Sequence, residues 1–175
     1  MYQGFYEIKS NKQLTDSIFE MVLMGDTSSI TAPGQFINIK LDGFYLRRPI
    51  SICDYDDKSI TIIYKVVGEG TEVMSKMNSG EKLDVLCGLG NGFDTSKSLD
   101  KPVLIGGGVG VPPMYNLCKK LIAEGKRVTV ILGFNKKDEI FYEDNFKKLG
   151  ADVKVTTVDG SYGIKGFVTD ALKDT

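Results

Sequence analysis

The sequence predicts an antiparallel β-barrel followed by a parallel-sheet α/β segment, and three observations predict it. Between residues 18 and 66, apolar side chains recur with period two, as in strands that bury one face. Short runs of this kind are separated by Gly, Asp and Asn turns, the grammar of a barrel or sandwich. Beyond residue 101 the order becomes strand, glycine loop, helix, strand, which is a βαβ unit and implies parallel pairing. The boundary falls at 98/99, with a barrel domain over 1–98 and an α/β domain over 99–175. That second domain reads as truncated at its C-terminus, because its last helical segment, Phe167 to Leu172, is followed by no strand.

In chain order, the β-type runs are Ile18 to Met24, then Ile37, Ile39 and Leu41 alternating with Asn38 and Lys40. Pro49 to Cys53 follows, and Ile60, Ile62, Tyr64 and Val66 share one face of the next run. Val73, Met74 and Met77 have helical spacing, with Thr71 placed to cap the start and Gly80 near the stop. Val103 to Ile105 is a compact strand that runs into Gly106-Gly-Gly-Val-Gly110. Pro112 and Pro113 then open a helix, where the missing N–H costs least. Its apolar positions Met114, Leu117, Cys118, Leu121 and Ile122 form one stripe, and Gly125 ends it. Val128 to Leu132, a helix over Glu143 to Leu149 and a strand over Val153 to Val158 extend the sheet.

Composition removes whole classes of chemistry. Lys plus Arg number 22 and Asp plus Glu 23, a net charge of -1 that is poor for capturing nucleic acid or an anionic membrane. The 175 residues contain no histidine, which excludes histidine-based triads, histidine metal ligands and imidazole proton shuttles. Cys53, Cys87 and Cys118 have no C-x-x-C spacing, and the sparse thiols with no secretory leader imply a reducing, cytoplasmic setting.

Three motifs remain. Gly106 to Pro113 lies between a strand and a helix, where main-chain N–H groups and the helix dipole favour a pyrophosphate. It fits neither G-x-G-x-x-G nor a phosphate loop ending in Lys-Ser/Thr, and a tight turn that binds nothing is also compatible with it. Leu46-Arg-Arg-Pro-Ile-Ser51 leads two arginines into a strand, where one could clamp a phosphate or both could be solvated. Gly68-Glu-Gly-Thr71 opens a short helix, as a second anion site or simply as a turn and cap. Two nucleotides would account for all three.

The ordered set of Arg-x-x-Ser, Gly-x-Gly-Thr and Gly-Gly-x-Gly-x-x-Pro resembles the ferredoxin–NADP reductase superfamily. Arg-Arg-Pro-Ile-Ser-Ile (47–52), Val-Gly-Glu-Gly-Thr (67–71), Gly-Leu-Gly-Asn-Gly-Phe (88–93) and Asp-Gly-Ser-Tyr-Gly (159–163) resemble one branch. That branch is the electron-transfer subunits of NAD-dependent, two-component dihydroorotate dehydrogenases, and the resemblance covers essentially the whole chain. It implies a flavoprotein that exchanges electrons between NAD(H) and an FMN-containing, dihydroorotate-oxidising partner of pyrimidine biosynthesis, in a heterotetramer.

By the same resemblance, Arg48 would bind the FAD pyrophosphate, with Gly70 and Thr71 completing that site. Pro49 and Ile50 would lie along the flavin and Ser51 beside its N5, while Tyr64, Lys65 and Val66 would line the ribityl or adenosine part. Gly107, Gly108 and Gly110 would approach the NAD pyrophosphate, and Asp159 and Gly160 would lie near the nicotinamide cleft. Ile50 stands where most of the superfamily has tyrosine, and Cys87-Gly88 where Gly-Pro is usual. The branch also carries a [2Fe-2S] centre, whose cysteine cluster is absent from this chain.

Rival readings are the small flavin subunit of a sulfide dehydrogenase or NADH-dependent ferredoxin–NADP oxidoreductase, for which Arg-Ile-Pro-Leu-Thr would be expected, and a non-catalytic nucleotide-binding module. NAD is preferred to NADP on family grounds alone. No acid ends the Val128 to Leu132 strand, and Gly133-Phe-Asn-Lys-Lys137 follows it.

Overall fold

A computed structural model describes residues 1–173; positions 174 and 175 of the predicted α/β domain lie outside the described residues. The chain separates into two compact units, residues 1–93 and the chain from Asp94 onward. The connector belongs to the second unit by its bonds. Thr95 Oγ1 donates to Glu124 at 2.8 Å, and Lys126 Nζ donates to the Thr95 and Ser98 carbonyls at 2.8 and 2.9 Å.

The first unit contains strands β1 (Tyr2–Gln13), β2 (Ile18–Met24), β3 (Phe36–Lys40), β4 (Arg48–Tyr55), β5 (Ser59–Lys65) and β6 (Lys82–Leu89). They close into an antiparallel barrel in the order β1-β2-β5-β4-β3-β6. Ile8, Met21, Leu23, Ile37, Ile39, Ile60, Ile62 and Val85 are fully buried inside it. Each such side chain contributes roughly 1.5–3 kcal/mol by leaving water. A bulge between Ile52 and Asp54 explains why the adjacent Ile52 and Cys53 are both buried.

The alternation argument accounts for β2 to β5 and misses β1 and β6, the two strands that close the barrel. In β1 only Tyr6 and Ile8 are buried, so twelve residues show little periodicity. In β6 the alternation Leu83, Val85, Cys87 is present, but the glycines after it suggest a loop. Cys87 therefore lies in a strand, opposite Tyr2, and not in a glycine loop.

Helix α1 (Glu69–Ser75) sends Met74 into the barrel core, while Val73 stays exposed. Asn11 Nδ2 donates to the Met74 and Met77 carbonyls at 2.8 and 3.0 Å. Its Oδ1 accepts the Tyr64 hydroxyl at 3.0 Å. Burial pushes that phenol up to about 12, against the opposing effect of the Asn11 bond, so Tyr64 stays neutral and donates.

In the second unit, β7 (Val103–Gly107), β8 (Thr129–Phe134), β9 (Asp152–Thr157) and β10 (Ile164–Lys165) form a parallel sheet in the order β10-β9-β8-β7. Val130, Ile131 and Leu132 are all fully buried, the continuous run expected of a strand covered on both faces. Helix α2 (Pro112–Ala123) lies against β7, with Leu117, Cys118 and Leu121 buried. Helix α3 (Glu143–Leu149) lies against α2 and β9, and α4 (Val168–Leu172) against β8 and β9. No helix among the described residues is long and apolar enough to cross a membrane.

All three thiols are fully buried, and burial pushes Cys118 up to about 11. The native protein is therefore expected to resist iodoacetamide at mildly alkaline pH and to label at three thiols once denatured. Labelling of a native cysteine at the rate of a free thiol would contradict this packing.

Candidate functional site

Strand β4 begins at Arg48, and its pairing with β3 sorts the predicted residues onto two faces. Arg48 and Ile50 stand opposite Ile39 and Ile37, while Pro49 and Ser51 stand opposite Asn38 and Phe36. The structure thus groups Arg48 with Ile50 and turns Pro49 and Ser51 the other way. The two arginines have different surroundings. Arg47 is a structural cation, forked onto the Asp84 carboxylate at 3.1–3.2 Å and bonded to the Asn38 and Asp84 carbonyls. Gln3 Nε2 also donates to that carboxylate.

Arg48 has no carboxylate partner among the described residues. Its guanidinium lies over the Phe44 ring, 4.8 Å from the centroid, and donates to the Leu46 carbonyl. Beside it is a pocket of about 280 Å³ lined by Phe44, Arg48 and the run Val67 to Thr71. A Cβ at Gly70 would overlap the guanidinium, so a side chain there would push Arg48 out of its present place. Thr71 caps the start of α1 from the third helical position, with Gly68 as the N-cap residue. Its hydroxyl accepts the Val67 and Gly68 N–H groups at 3.0 and 3.3 Å and donates to the Gly68 carbonyl at 2.9 Å. A cation without a carboxylate, facing a main-chain cradle that a methyl group would fill, fits a pyrophosphate.

Tyr64 is drawn into the core, where its ring stacks on Phe19 at 5.9 Å, so any ligand contact falls to its main chain. The Lys65 side chain is exposed, and the half-buried Val66 donates its N–H to the Ser17 carbonyl at 2.8 Å. Phe44, which holds Arg48, was not legible in the sequence, because it precedes the motif in an irregular turn.

The glycine loop begins on the sheet. Gly106 and Gly107 are the last residues of β7, and Gly107 pairs with Gly133 of β8. Gly108 to Gly110 make a 3₁₀ turn that leads through Val111 into α2. Gly108 has φ +50, in the left-handed region, and a Cβ on Gly108 or Gly110 would meet nothing within 4 Å. The demanding position is Gly106, which the motif comparison passes over. A Cβ there would lie 2.9 Å from the Gly110 carbonyl oxygen and from Val111 Cα.

On the neighbouring loop, Asp159 donates its N–H to the Asn135 carbonyl at 3.1 Å. Bonds from the Ser161 hydroxyl and N–H, at 2.7 and 2.9 Å, hold the Asp159 carboxyl below the usual carboxylate range. Gly160 turns the chain with φ +76. The described loops after β7, β8 and β9 thus share the carboxyl edge of the sheet, where α/β folds bind ligands.

Known proteins agree with this architecture. Residues 104–175 match the family described as Oxidoreductase NAD-binding domain. A solved structure of NADH-dependent reduced ferredoxin–NADP oxidoreductase superposes with a TM-score of 0.87 at 31% identity, covering 98% of this chain and 63% of that one. A ferredoxin NADP+ reductase from Neisseria gonorrhoeae, with FAD and NADP bound, gives 0.85 at 17% identity, covering 99% of this chain and 77% of that one, and speaks for the fold alone.

Curated relatives are closer in sequence. The protein named dihydroorotate dehydrogenase B (NAD(+)), electron transfer subunit, is 46% identical in Bacillus mycoides, over 94% of this chain and 66% of that protein. In Fusobacterium nucleatum it is 46% identical over 95% and 67%, and in Bacillus pumilus 44% identical over 99% and 70%. The chain spans about two thirds of the length of these relatives. With the barrel, the paired arginines and the glycine loop all in place, the chain belongs to the family of dihydroorotate dehydrogenase B electron transfer subunits.

Proposed function

We propose that the chain binds FAD through the barrel and NAD(H) through the α/β unit. It would pass electrons between NAD(H) and an FMN-containing, dihydroorotate-oxidising partner subunit in a heterotetramer. The observation that carries this reading is Arg48, a cation without a carboxylate beside the Gly70–Thr71 cradle, next to an arginine that Asp84 neutralises. FAD, when bound, supplies a ring nitrogen that exchanges hydride with nicotinamide. The protein's part is to hold phosphates and orient rings.

Arg48 would take the flavin pyrophosphate, with Gly70 and Thr71 around it. Ile50, on the same face of β4, would be the apolar contact for the ring system. Gly107, Gly108 and Gly110 would let the second pyrophosphate approach main-chain N–H groups at the start of α2, with Asp159 and Gly160 on the adjacent loop. No side-chain acid or base is needed, in keeping with a chain that has no histidine. The relatives' name and the 44–46% identity support the dihydroorotate branch, against 31% for the NADH-dependent ferredoxin–NADP oxidoreductase structure. A [2Fe-2S] centre needs four thiolates, and this sequence has three cysteines, so none of its ligands is assigned here.

The purified protein is expected to be yellow, to release FAD and not FMN on denaturation, and to bleach under anaerobic NADH. A pyrophosphate site is the reason, since FMN carries a single phosphate. Chromatography of the released flavin decides it: FMN alone, or a colourless protein that takes up no FAD, defeats the proposal.

A further inference from the structure

At the carboxyl end of β8, where an α/β sheet usually places an acid that accepts ribose hydroxyls, the chain runs Asn135-Lys136-Lys137. The acid arrives by a different route. A 3₁₀ turn over Lys137–Glu139, closed by the Glu139 N–H on the Lys136 carbonyl at 3.1 Å, folds Glu139 back onto the strand end. Glu139 Oε2 accepts the Asn135 N–H at 3.2 Å and the Asn135 Nδ2 at 2.8 Å. Its Oε1 has no bond to any described residue.

Two ties to the next loop fix this arrangement. Asp159 N–H donates to the Asn135 carbonyl at 3.1 Å, and Lys137 N–H donates to Ser161 Oγ at 2.8 Å. Asn135 lies two residues beyond Gly133, the partner of Gly107 in the glycine loop. A fixed carboxylate therefore sits on the same sheet edge as that loop.

We propose that Glu139 selects NAD(H) over NADP(H), by accepting ribose hydroxyls and repelling a 2'-phosphate. This rests on the dinucleotide reading above. A ribose diol offers two O–H donors, and Glu139 has an oxygen to receive them. A 2'-phosphate offers no such donor and brings about -1.5 to -2 of charge. Two cations oppose this. Lys136 Nζ is 3.9 Å from the Asp138 carboxylate, which answers part of its charge. Lys137 is an exposed, rotamer-rich side chain, and an exposed cation of that kind contributes little when it must be immobilised. Glu139 is already held by two hydrogen bonds, so the anion decides.

The test is calorimetric titration of the full chain, its Glu139→Gln variant and its Asp138→Asn variant with NAD+ and with NADP+. Glutamine keeps an acceptor oxygen for Asn135, removes the charge and puts an NH2 group in place of the oxygen that would accept the ribose. The unmodified chain is expected to bind NAD+ about tenfold more tightly than NADP+. Glu139→Gln should shrink that ratio about fivefold or more, by weakening NAD+ and tightening NADP+ together. Asp138→Asn, which frees Lys136 but leaves the carboxylate at Asn135 in place, should shrink it by no more than about twofold. An unchanged ratio in Glu139→Gln, an equal collapse in Asp138→Asn, or an unmodified chain that prefers NADP+ overturns the role of Glu139 alone. A chain that binds neither nucleotide overturns the dinucleotide reading, and this inference falls with it.

Discussion

Arg48→Ala is expected to weaken FAD binding roughly ten- to a hundredfold, and Arg47→Ala to leave it nearly unchanged. A charge-assisted bond to phosphate contributes about 1.5–3 kcal/mol, which is that range in affinity. Arg47 cannot make such a bond without abandoning Asp84, to which it is forked at 3.1–3.2 Å across β3. Its removal should appear instead as lost stability, about 1–3 kcal/mol, because Asp84 is half-buried and would keep only Gln3 as a side-chain donor. Flavin fluorescence on titrating the apoprotein gives the affinities, and thermal melting separates the second effect. Equal loss of FAD in the two variants, with equal melting temperatures, would remove the assignment of Arg48 to the phosphate.

Gly106→Ala should cut NAD+ affinity by about tenfold or more and lower the stability of the α/β unit by about 1–3 kcal/mol, with FAD content unaffected. The methyl group would sit 2.9 Å from the Gly110 carbonyl oxygen and from Val111 Cα. Both are main-chain atoms at the start of α2, so relief requires the loop itself to move. Gly107→Ala and Gly110→Ala are the informative controls. At Gly107 the nearest atom would be the Gly133 carbonyl oxygen at 3.7 Å, and at Gly110 nothing lies within 4 Å. These two should fold normally and lose only affinity, because a methyl group there meets no protein atom closely and would intrude only on the proposed pyrophosphate. Melting and NAD+ titration of the three variants side by side test this. A Gly106→Ala protein that melts and binds like the unmodified chain would show that the loop is not packed as described.

The glycine loop and the barrel differ in how much of each could be read without coordinates. The helix after the loop was legible because Pro112-Pro113 and the stripe Leu117, Cys118, Leu121 are local signals, and the structure buries those three. Strands β3 to β5 were legible for the same reason, since Ile37, Ile39, Ile60 and Ile62 alternate within a few residues of one another. Strand β1 was not: its polar residues are solvated over most of its length, and only Tyr6 and Ile8 turn inward. A strand held mainly by main-chain bonds to β2 and β6 leaves little trace in side-chain periodicity.

The sequence by itself determined the two architectures, the order of the phosphate-friendly motifs and the exclusion of histidine chemistry. These depend on residue type and on spacings of a few positions. The resemblance singled out Arg48, but only the tertiary structure showed why Arg47 is occupied, because Asp84 stands 37 positions from Arg47 and reaches it through strand pairing. In the same way, it decided that Gly106 and not Gly110 is packed against main chain, and that Tyr64 is a core residue whose hydroxyl helps hold α1 through Asn11. It also supplied an acid at the end of β8. Glu139 comes after the strand's last residue, where a search for an acid at the strand terminus does not look, and a 3₁₀ turn brings it back. Identical residue types acquire different roles from neighbours that are remote in sequence, and the free energies that separate those roles come from contacts that form only when the chain closes on itself.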